Sequence, residues 1–131
     1  MGRMNATHCA RLAALLGGLA VALGAFGAHA MQDHYDARAL QTFETAVRYQ
    51  MYHALALGLC AALGRHGCRT GPAALCFLLG IVLFSGSLYG LVFLEARWLG
   101  PVTPVGGVAF LVGWSLLTLR GHRGETQGKA G

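Results

Sequence analysis

The fold is decided by an uncharged stretch at positions 72–94, which reads PAALCFLLGIVLFSGSLYGLVFL. A helix needs about 20 consecutive apolar residues to cross the roughly 30 Å hydrocarbon core of a bilayer. This stretch is long enough, and its one proline stands at the first position, where a helix tolerates it. It therefore predicts a transmembrane helix.

Three further apolar runs lie on either side of this stretch, at positions 12–28, 46–63 and 102–119. The chain of 131 residues is 55% hydrophobic and 11% charged, whereas about a quarter of a soluble domain is charged. Most of its surface must therefore face lipid. We predict an all-α, integral membrane four-helix bundle in a single domain at 1–121, with spans at about 10–29, 46–64, 72–94 and 102–119.

The first run resembles a signal peptide, because it follows Arg11 and ends near the small residues Ala28 and Ala30. Against cleavage, its small residues recur with heptad spacing and form a narrow helix face suited to close packing. We therefore expect the segment to be retained. The small residues of this face are Ala13, Gly17, Ala20, Gly24 and Gly27.

Two segments outside the spans differ in their patterning. Apolar residues recur at helical spacing between Tyr35 and Arg48, with charged residues between them, which predicts an amphipathic helix in the membrane interface between spans 1 and 2, running into span 2. The polar stretch 122–131 has no periodicity, and we expect a disordered cytoplasmic tail there.

The later spans also carry packing patterns. Small residues recur every four positions in the second span, and two glycines stand one heptad apart in the fourth. A stripe of bulky residues in the third span could pack against such small faces in a left-handed bundle. The small residues are Ala54, Gly58, Ala62, Gly106 and Gly113, and the bulky ones are Phe77, Ile81, Phe84, Leu88 and Leu91.

Basic residues are distributed unevenly between the connecting segments. The positive-inside rule assigns the segments richer in Lys and Arg to the cytoplasm, so we expect both termini to be cytoplasmic. The net charge of +5 forms no basic stripe with interleaved aromatics, and no nucleic-acid partner is expected. The predicted inner basic residues are Arg3, Arg11, Arg65, Arg69, Arg120, Arg123 and Lys129, and the outer ones are Arg38, Arg48 and Arg97.

Four strings of sequence carry a family resemblance: GAFGAH at 24–29, FETAVRYQMYHAL at 43–55, LFSGSLY at 83–89 and RWLGPVTPVGG at 97–107. In this order they resemble the YgdD-like family of small bacterial inner-membrane proteins, the domain of unknown function 423. The resemblance covers nearly the whole chain. It implies four transmembrane helices and a bacterial inner membrane, and it implies no activity or catalytic residue.

A polar cluster at the predicted outer end is the best candidate for a binding site. Its members stack on neighbouring ridges of one helix, with one histidine at the end of the first span. They could bind an anion and exchange protons. The alternative is structural, with an interfacial ion pair and a hydrogen bond across the bundle. The cluster consists of His29, Glu44, Arg48, Tyr49, Tyr52 and His53.

Other polar residues give weaker signals. Ser85 and Ser87 could line a path for water or ions, but such hydroxyls more often bond to the preceding turn of their own helix. The pairs His8-Cys9 and His66-x-Cys68 could meet as a metal site, although the spacing is unspecific. No nucleotide-binding, metalloprotease or nucleophile motif occurs, so we expect no catalytic residue, no resident metal, no cofactor and no enzymatic activity.

Two functions remain open from the sequence. The first is a non-enzymatic accessory or assembly protein of the membrane, which acts through helix–helix association with itself or with another membrane protein. The second is a small oligomeric transporter or channel with an outward-facing polar site, in which His53, Ser85 or Ser87 would face water in some state.

Overall fold

The computed structural model describes residues 4–121, and this part of the chain is helical without any strand. Short connections join the four long helical segments, so that consecutive segments run in opposite directions. The predicted tail at 122–131 lies outside the described residues. The elements are α1 (Ala6–His29), α2 (Ala37–Arg65), α3 (Gly71–Gly80), a π-helical turn (Ile81–Ser85), α4 (Gly86–Phe93), a 3₁₀ turn (Arg97–Leu99) and α5 (Val102–Gly121).

The small face of α1 packs against α2, as the heptad spacing predicts. A Cβ atom on Gly17 would lie 4.0 Å from the Cβ of Ala54, and one on Gly58 would lie 3.8 Å from the Cβ of Ala13. Helices with small residues at the contact can bring their backbones close together, which increases van der Waals contact in lipid. Ala62, the third small residue predicted on α2, is exposed instead.

The third helical segment is one rod, Gly71–Phe93, in which a π-helical turn separates α3 from α4. Two of its aromatic side chains fill the space above glycines of α5. A Cβ on Gly113 would lie 2.7 Å from the ring of Phe77, and one on Gly106 would lie 2.7 Å from the Cβ of Phe84. The predicted packing of bulky against small residues is confirmed here. Leu88 and Leu91 line a cavity instead.

The amphipathic segment before the second apolar run is continuous with the helix of that run. It forms the first turns of α2, a single helix of 29 residues that starts after Asp36. The Asp36 carboxylate caps this helix by accepting a hydrogen bond of 2.7 Å from the backbone N–H of Ala39. The predicted run of this helix into the second apolar run is therefore confirmed. Its apolar side packs in the protein, where Phe43 and Ala46 are buried, and its location in the membrane interface stays a prediction.

Within residues 4–121, three helical segments are long and apolar enough to cross a membrane: Ala6–His29, Gly71–Phe93 and Arg97–Leu119. The fourth predicted span, in α2, is not among them, because Arg48, Gln50 and His53 lower its hydropathy. Two of these side chains, Gln50 and His53, are nevertheless buried in the protein.

The acidic residues of the described connections lie at one end of the molecule, together with Arg97, and the charged residue of the connection at the other end is basic. The turn 30–36 and the segment 94–101 form one end, here called the acidic end, which contains Asp33, Asp36 and Glu95. The other end, here called the basic end, contains the turn 66–70 with Arg69, and it is flanked by Arg65.

Candidate functional site

The predicted ion pair of the polar cluster is present on the surface of α2. Arg48 donates from Nη2 to Oε1 of Glu44 over 2.5 Å, and both side chains are more than half exposed. Glu44 and Arg48 are one turn apart, so the helix itself brings them together. An exposed pair of this kind contributes less than about 1 kcal/mol to stability.

Of the two histidines in the same cluster, His53 points into the protein. His53 is buried, and its ring lies parallel to that of Phe110 with 3.5 Å between centroids. Its Nδ1 lies 2.8 Å from the carbonyl oxygen of Tyr49, and its Nε2 accepts a hydrogen bond of 3.2 Å from Nε1 of Trp114. Since a carbonyl can only accept, these partners assign the proton of a neutral imidazole to Nδ1.

Of the remaining members of the cluster, Tyr49 lies beside His53, with ring centroids 6.2 Å apart, and the others lie on the surface. Tyr49 packs against Phe84 with ring centroids 4.7 Å apart, Tyr52 is 51% exposed, and His29 is exposed in the last turn of α1. The six predicted residues therefore do not converge on one site. They divide into an exposed ion pair, a buried histidine with its aromatic neighbours, and exposed side chains on the surface.

A buried glutamine that the sequence reasoning overlooked connects three helices. Nε2 of Gln50 donates to the carbonyl oxygen of Leu16 in α1 over 2.9 Å, and its Oε1 accepts a hydrogen bond of 2.7 Å from the hydroxyl of Tyr89 in α4. An amide inside a predicted membrane span needs such partners. Its position in the second apolar run was the signal that could have identified it.

The two serines of the third segment also make bonds between helices. Ser85 donates to the carbonyl oxygen of Ala46 in α2 over 2.7 Å, which corrects the expectation that it bonds to its own helix. Ser87 does bond to its own helix, at the carbonyl oxygen of Phe84, and its hydroxyl also lies 2.5 Å from that of Thr103 in α5.

Every buried side-chain nitrogen or oxygen in the described residues has a hydrogen-bond partner within the chain. Hydrogen-bonded polar groups in an apolar core fix the positions of the helices that they join. In the same part of the chain, no three His, Cys, Asp or Glu side chains form a group that could hold a metal ion. His8 instead bonds to Asn5, which caps α1.

One member of the predicted cluster does line a cavity. A space of about 600 Å³ lies between the end of α1 and the first turns of α2, and Glu44 is part of its wall. Most of the wall is apolar, with Phe43 and Val47 among its residues, and Gln32 and Gln41 are polar neighbours of the carboxylate. The side chain of Gln32 is held by a bond to the carbonyl oxygen of Gly27.

Helical segments long enough to span a bilayer, lipid-compatible outer surfaces and internally satisfied polar groups define a small multi-pass α-helical membrane protein. Residues 23–107 match the family described as "Protein of unknown function (DUF423)". The chain belongs to this family, as the resemblance of its four sequence strings predicts.

Its relatives are named as membrane proteins. The UPF0382 inner membrane protein YgdD of Escherichia coli K12 is 44% identical over 88% of this chain and 90% of its own length. The UPF0382 membrane protein YwdK of Bacillus subtilis 168 is 46% identical over 77% and 85%. A UPF0382 membrane protein of Staphylococcus aureus (strain bovine RF122) is 42% identical over 82% and 89%. No solved structure matches the chain.

Proposed function

We propose that the protein is a non-enzymatic accessory or assembly protein of the inner membrane, which associates with another membrane helix through α1. The observation that carries the proposal is a second small-residue series on α1, on the side turned away from α2. Its members are exposed, and a Cβ atom on Gly18 would meet nothing within 4 Å. The series consists of Ala14, Gly18, Ala22 and Ala25.

Spacings of four, four and three residues place this series on one side of α1, where a partner helix could approach the backbone closely. The first small face of the same helix does this against α2. Because van der Waals packing rather than hydrophobicity drives association in lipid, an exposed face of small residues is more favourable for a partner helix than for lipid chains.

The proposal is tested by native mass spectrometry of tagged protein extracted gently from its own membrane. Gly18→Leu would fill the proposed contact, and Gly86→Leu is a matched control, because Gly86 is also exposed with nothing within 4 Å of a Cβ atom. We expect wild type and Gly86→Leu to carry a second polypeptide or a second copy, and Gly18→Leu to lose it. A monomeric wild type, or an unchanged Gly18→Leu, would contradict the proposal.

We further propose that α2 crosses the membrane as a fourth span. It lies between α1 and the Gly71–Phe93 rod, two helices that are themselves long and apolar enough to span. Its polar Gln50 and His53 are turned into the protein, whereas Leu55 and Leu59 are exposed to the surroundings. This division of polar and apolar residues is what a span in a bundle requires.

A small oligomeric transporter is the weaker candidate. It would require His53, Ser85 or Ser87 to face water in some state. In the structure these three side chains are at most 5% exposed, and each is bonded within the chain.

We also propose that both termini are cytoplasmic, which makes the acidic end the outer one. Support comes from the sequence: seven of the ten Lys and Arg residues fall in the segments predicted to be inner and three in those predicted to be outer, and cytoplasmic segments carry the excess of Lys and Arg.

A further inference from the structure

A second and larger cavity lies at the acidic end, between the start of α2 and the end of α4. Its volume is about 960 Å³, which is at the upper end of the range for small-molecule sites. Five side chains of Asp, Glu, His and Arg residues form part of its wall, from the turn before α2, the first turn of α2 and the segment after α4. They are His34, Asp36, Arg38, Glu95 and Arg97.

The charges around this cavity are not neutralised by ion pairs with one another. The ion pair found in the described residues joins Glu44 and Arg48, which do not line it. One oxygen of Asp36 is used to cap α2. Glu95 and Arg97 are joined through their backbones only, by a bond of 3.0 Å from the N–H of Arg97 to the carbonyl oxygen of Glu95.

Apart from Tyr35, Ala39 and Thr42, the rest of the wall is aliphatic and belongs to a membrane-crossing segment. Leu88, Leu91 and Val92 come from α4, the last part of the Gly71–Phe93 rod. The cavity therefore has charged groups where the rod leaves the membrane and aliphatic groups along the rod itself. A ligand that fits both parts is amphipathic, with a charged head and a hydrocarbon body.

The balance of positive and negative side chains in the wall indicates which charged headgroup a ligand should carry. Two guanidinium groups, of Arg38 and Arg97, face two carboxylates, of Asp36 and Glu95, so that a purely anionic group would gain no net attraction. A zwitterion with a phosphate and an ammonium group could satisfy both signs, since guanidinium binds phosphate and carboxylate binds ammonium.

The backbone at Glu95 supports a role for its side chain. This residue has φ = 51°, a left-handed conformation that ends helices and is normally occupied by glycine. Glycine would adopt it without steric cost, whereas the glutamate at this position provides a carboxylate at the cavity. Strained positions of this kind are concentrated at functional sites.

We propose that this cavity binds the headgroup of an aminophospholipid, with phosphate on Arg38 and Arg97, the primary ammonium on Asp36 and Glu95, and the start of an acyl chain along Leu88 and Leu91. The site is separate from the α1 face proposed for association, so either proposal can fail without the other.

The test is native mass spectrometry of the purified full chain with added phosphatidylethanolamine or phosphatidylglycerol, which share the phosphate but differ in the ammonium. We expect phosphatidylethanolamine to be retained in preference. The double variant Arg38→Gln/Arg97→Gln should bind it at least about tenfold more weakly, because two charge-assisted contacts are lost. Arg48→Gln, an arginine outside the cavity, and Gly18→Leu should bind it as wild type does.

A second variant tests the ammonium part alone. Glu95→Gln should reduce the preference for phosphatidylethanolamine over phosphatidylglycerol, because one partner of the ammonium is lost and one carboxylate fewer repels the anionic lipid. Equal or tighter binding of phosphatidylglycerol by wild type would overturn the proposal, as would unchanged binding by the double arginine variant. Displacement of the lipid by millimolar free phosphoethanolamine would assign the site to a soluble zwitterion instead, and would also overturn it.

Discussion

Gln50 illustrates how a single polar side chain organises this protein. In hydrocarbon there is no water to replace a lost partner, so a buried amide must find its hydrogen bonds within the protein. Gln50 does so with the carbonyl oxygen of Leu16 and the hydroxyl of Tyr89. One residue of α2 thereby fixes the positions of α1 and α4.

We predict that Gln50→Leu destabilises the fold by about 1–2 kcal/mol, because the hydroxyl of Tyr89 then loses its partner in an apolar environment. Tyr89→Phe should recover part of this loss when combined with Gln50→Leu. The measurement is the free energy of unfolding in mixed micelles. Tyr52→Phe, a matched change at an exposed tyrosine, should have no effect, and additive effects of Gln50→Leu and Tyr89→Phe would contradict the prediction.

His53 shows the limit of sequence reasoning at this scale. Spacing correctly placed Glu44 beside Arg48, because residues four apart are neighbours on any helix. Spacing could not tell that His53 faces Phe110 and Trp114, since these aromatic residues come from another helix about 60 positions away. The cavity lined by Arg38 and Arg97 was equally out of reach, because its walls come from distant segments.

At the scale of helices, contacts between glycine and aromatic residues determine how closely α5 approaches the Gly71–Phe93 rod. Gly106 is buried against the backbone of Phe84, where a Cβ atom would lie 2.8 Å from Cα. A backbone cannot move aside as a flexible side chain can. Gly107, one residue further on, would place a Cβ atom 3.9 Å from the Phe84 ring, which is ordinary contact.

These neighbouring glycines give a matched pair of variants. Gly106→Ala should lower the free energy of unfolding by about 1–3 kcal/mol, because α5 must shift away from Phe84. Gly107→Ala should be neutral or stabilising by up to about 1 kcal/mol, since alanine favours the helix. Thermal unfolding in detergent measures both. Equal effects of the two substitutions would show that this contact does not limit the approach of the helices.

The sequence predicted most of the helices and their small faces, because hydropathy and heptad spacing depend only on local order. It missed the π-helical turn at Ile81–Ser85, which has no distinct composition. It also assigned the first turns of α2 to the membrane interface, because charged residues lie between apolar ones from Asp36 to Arg48. The apolar side of that segment is covered by the protein, and only tertiary packing reveals this.

For the whole molecule, the excess of Lys and Arg in the termini and in the turn 66–70 predicts its orientation. We expect a cysteine introduced in place of Asp33, in a background with the four native cysteines replaced, to react with a membrane-impermeant maleimide in intact spheroplasts. A cysteine in place of Arg69 should react only after the membrane is permeabilised. The reverse pattern would place the termini outside.

The helices also pair in the order in which they are synthesised. α1 packs chiefly on α2, and α3 with its π-helical turn packs chiefly on α5, so the molecule consists of two hairpins made from consecutive segments. Contacts close in sequence form quickly, because little chain entropy is lost in closing short loops. Each hairpin can therefore form as it leaves the ribosome and enters the bilayer. The buried bonds from Gln50, His53 and Ser85 then join the two halves once both are in place.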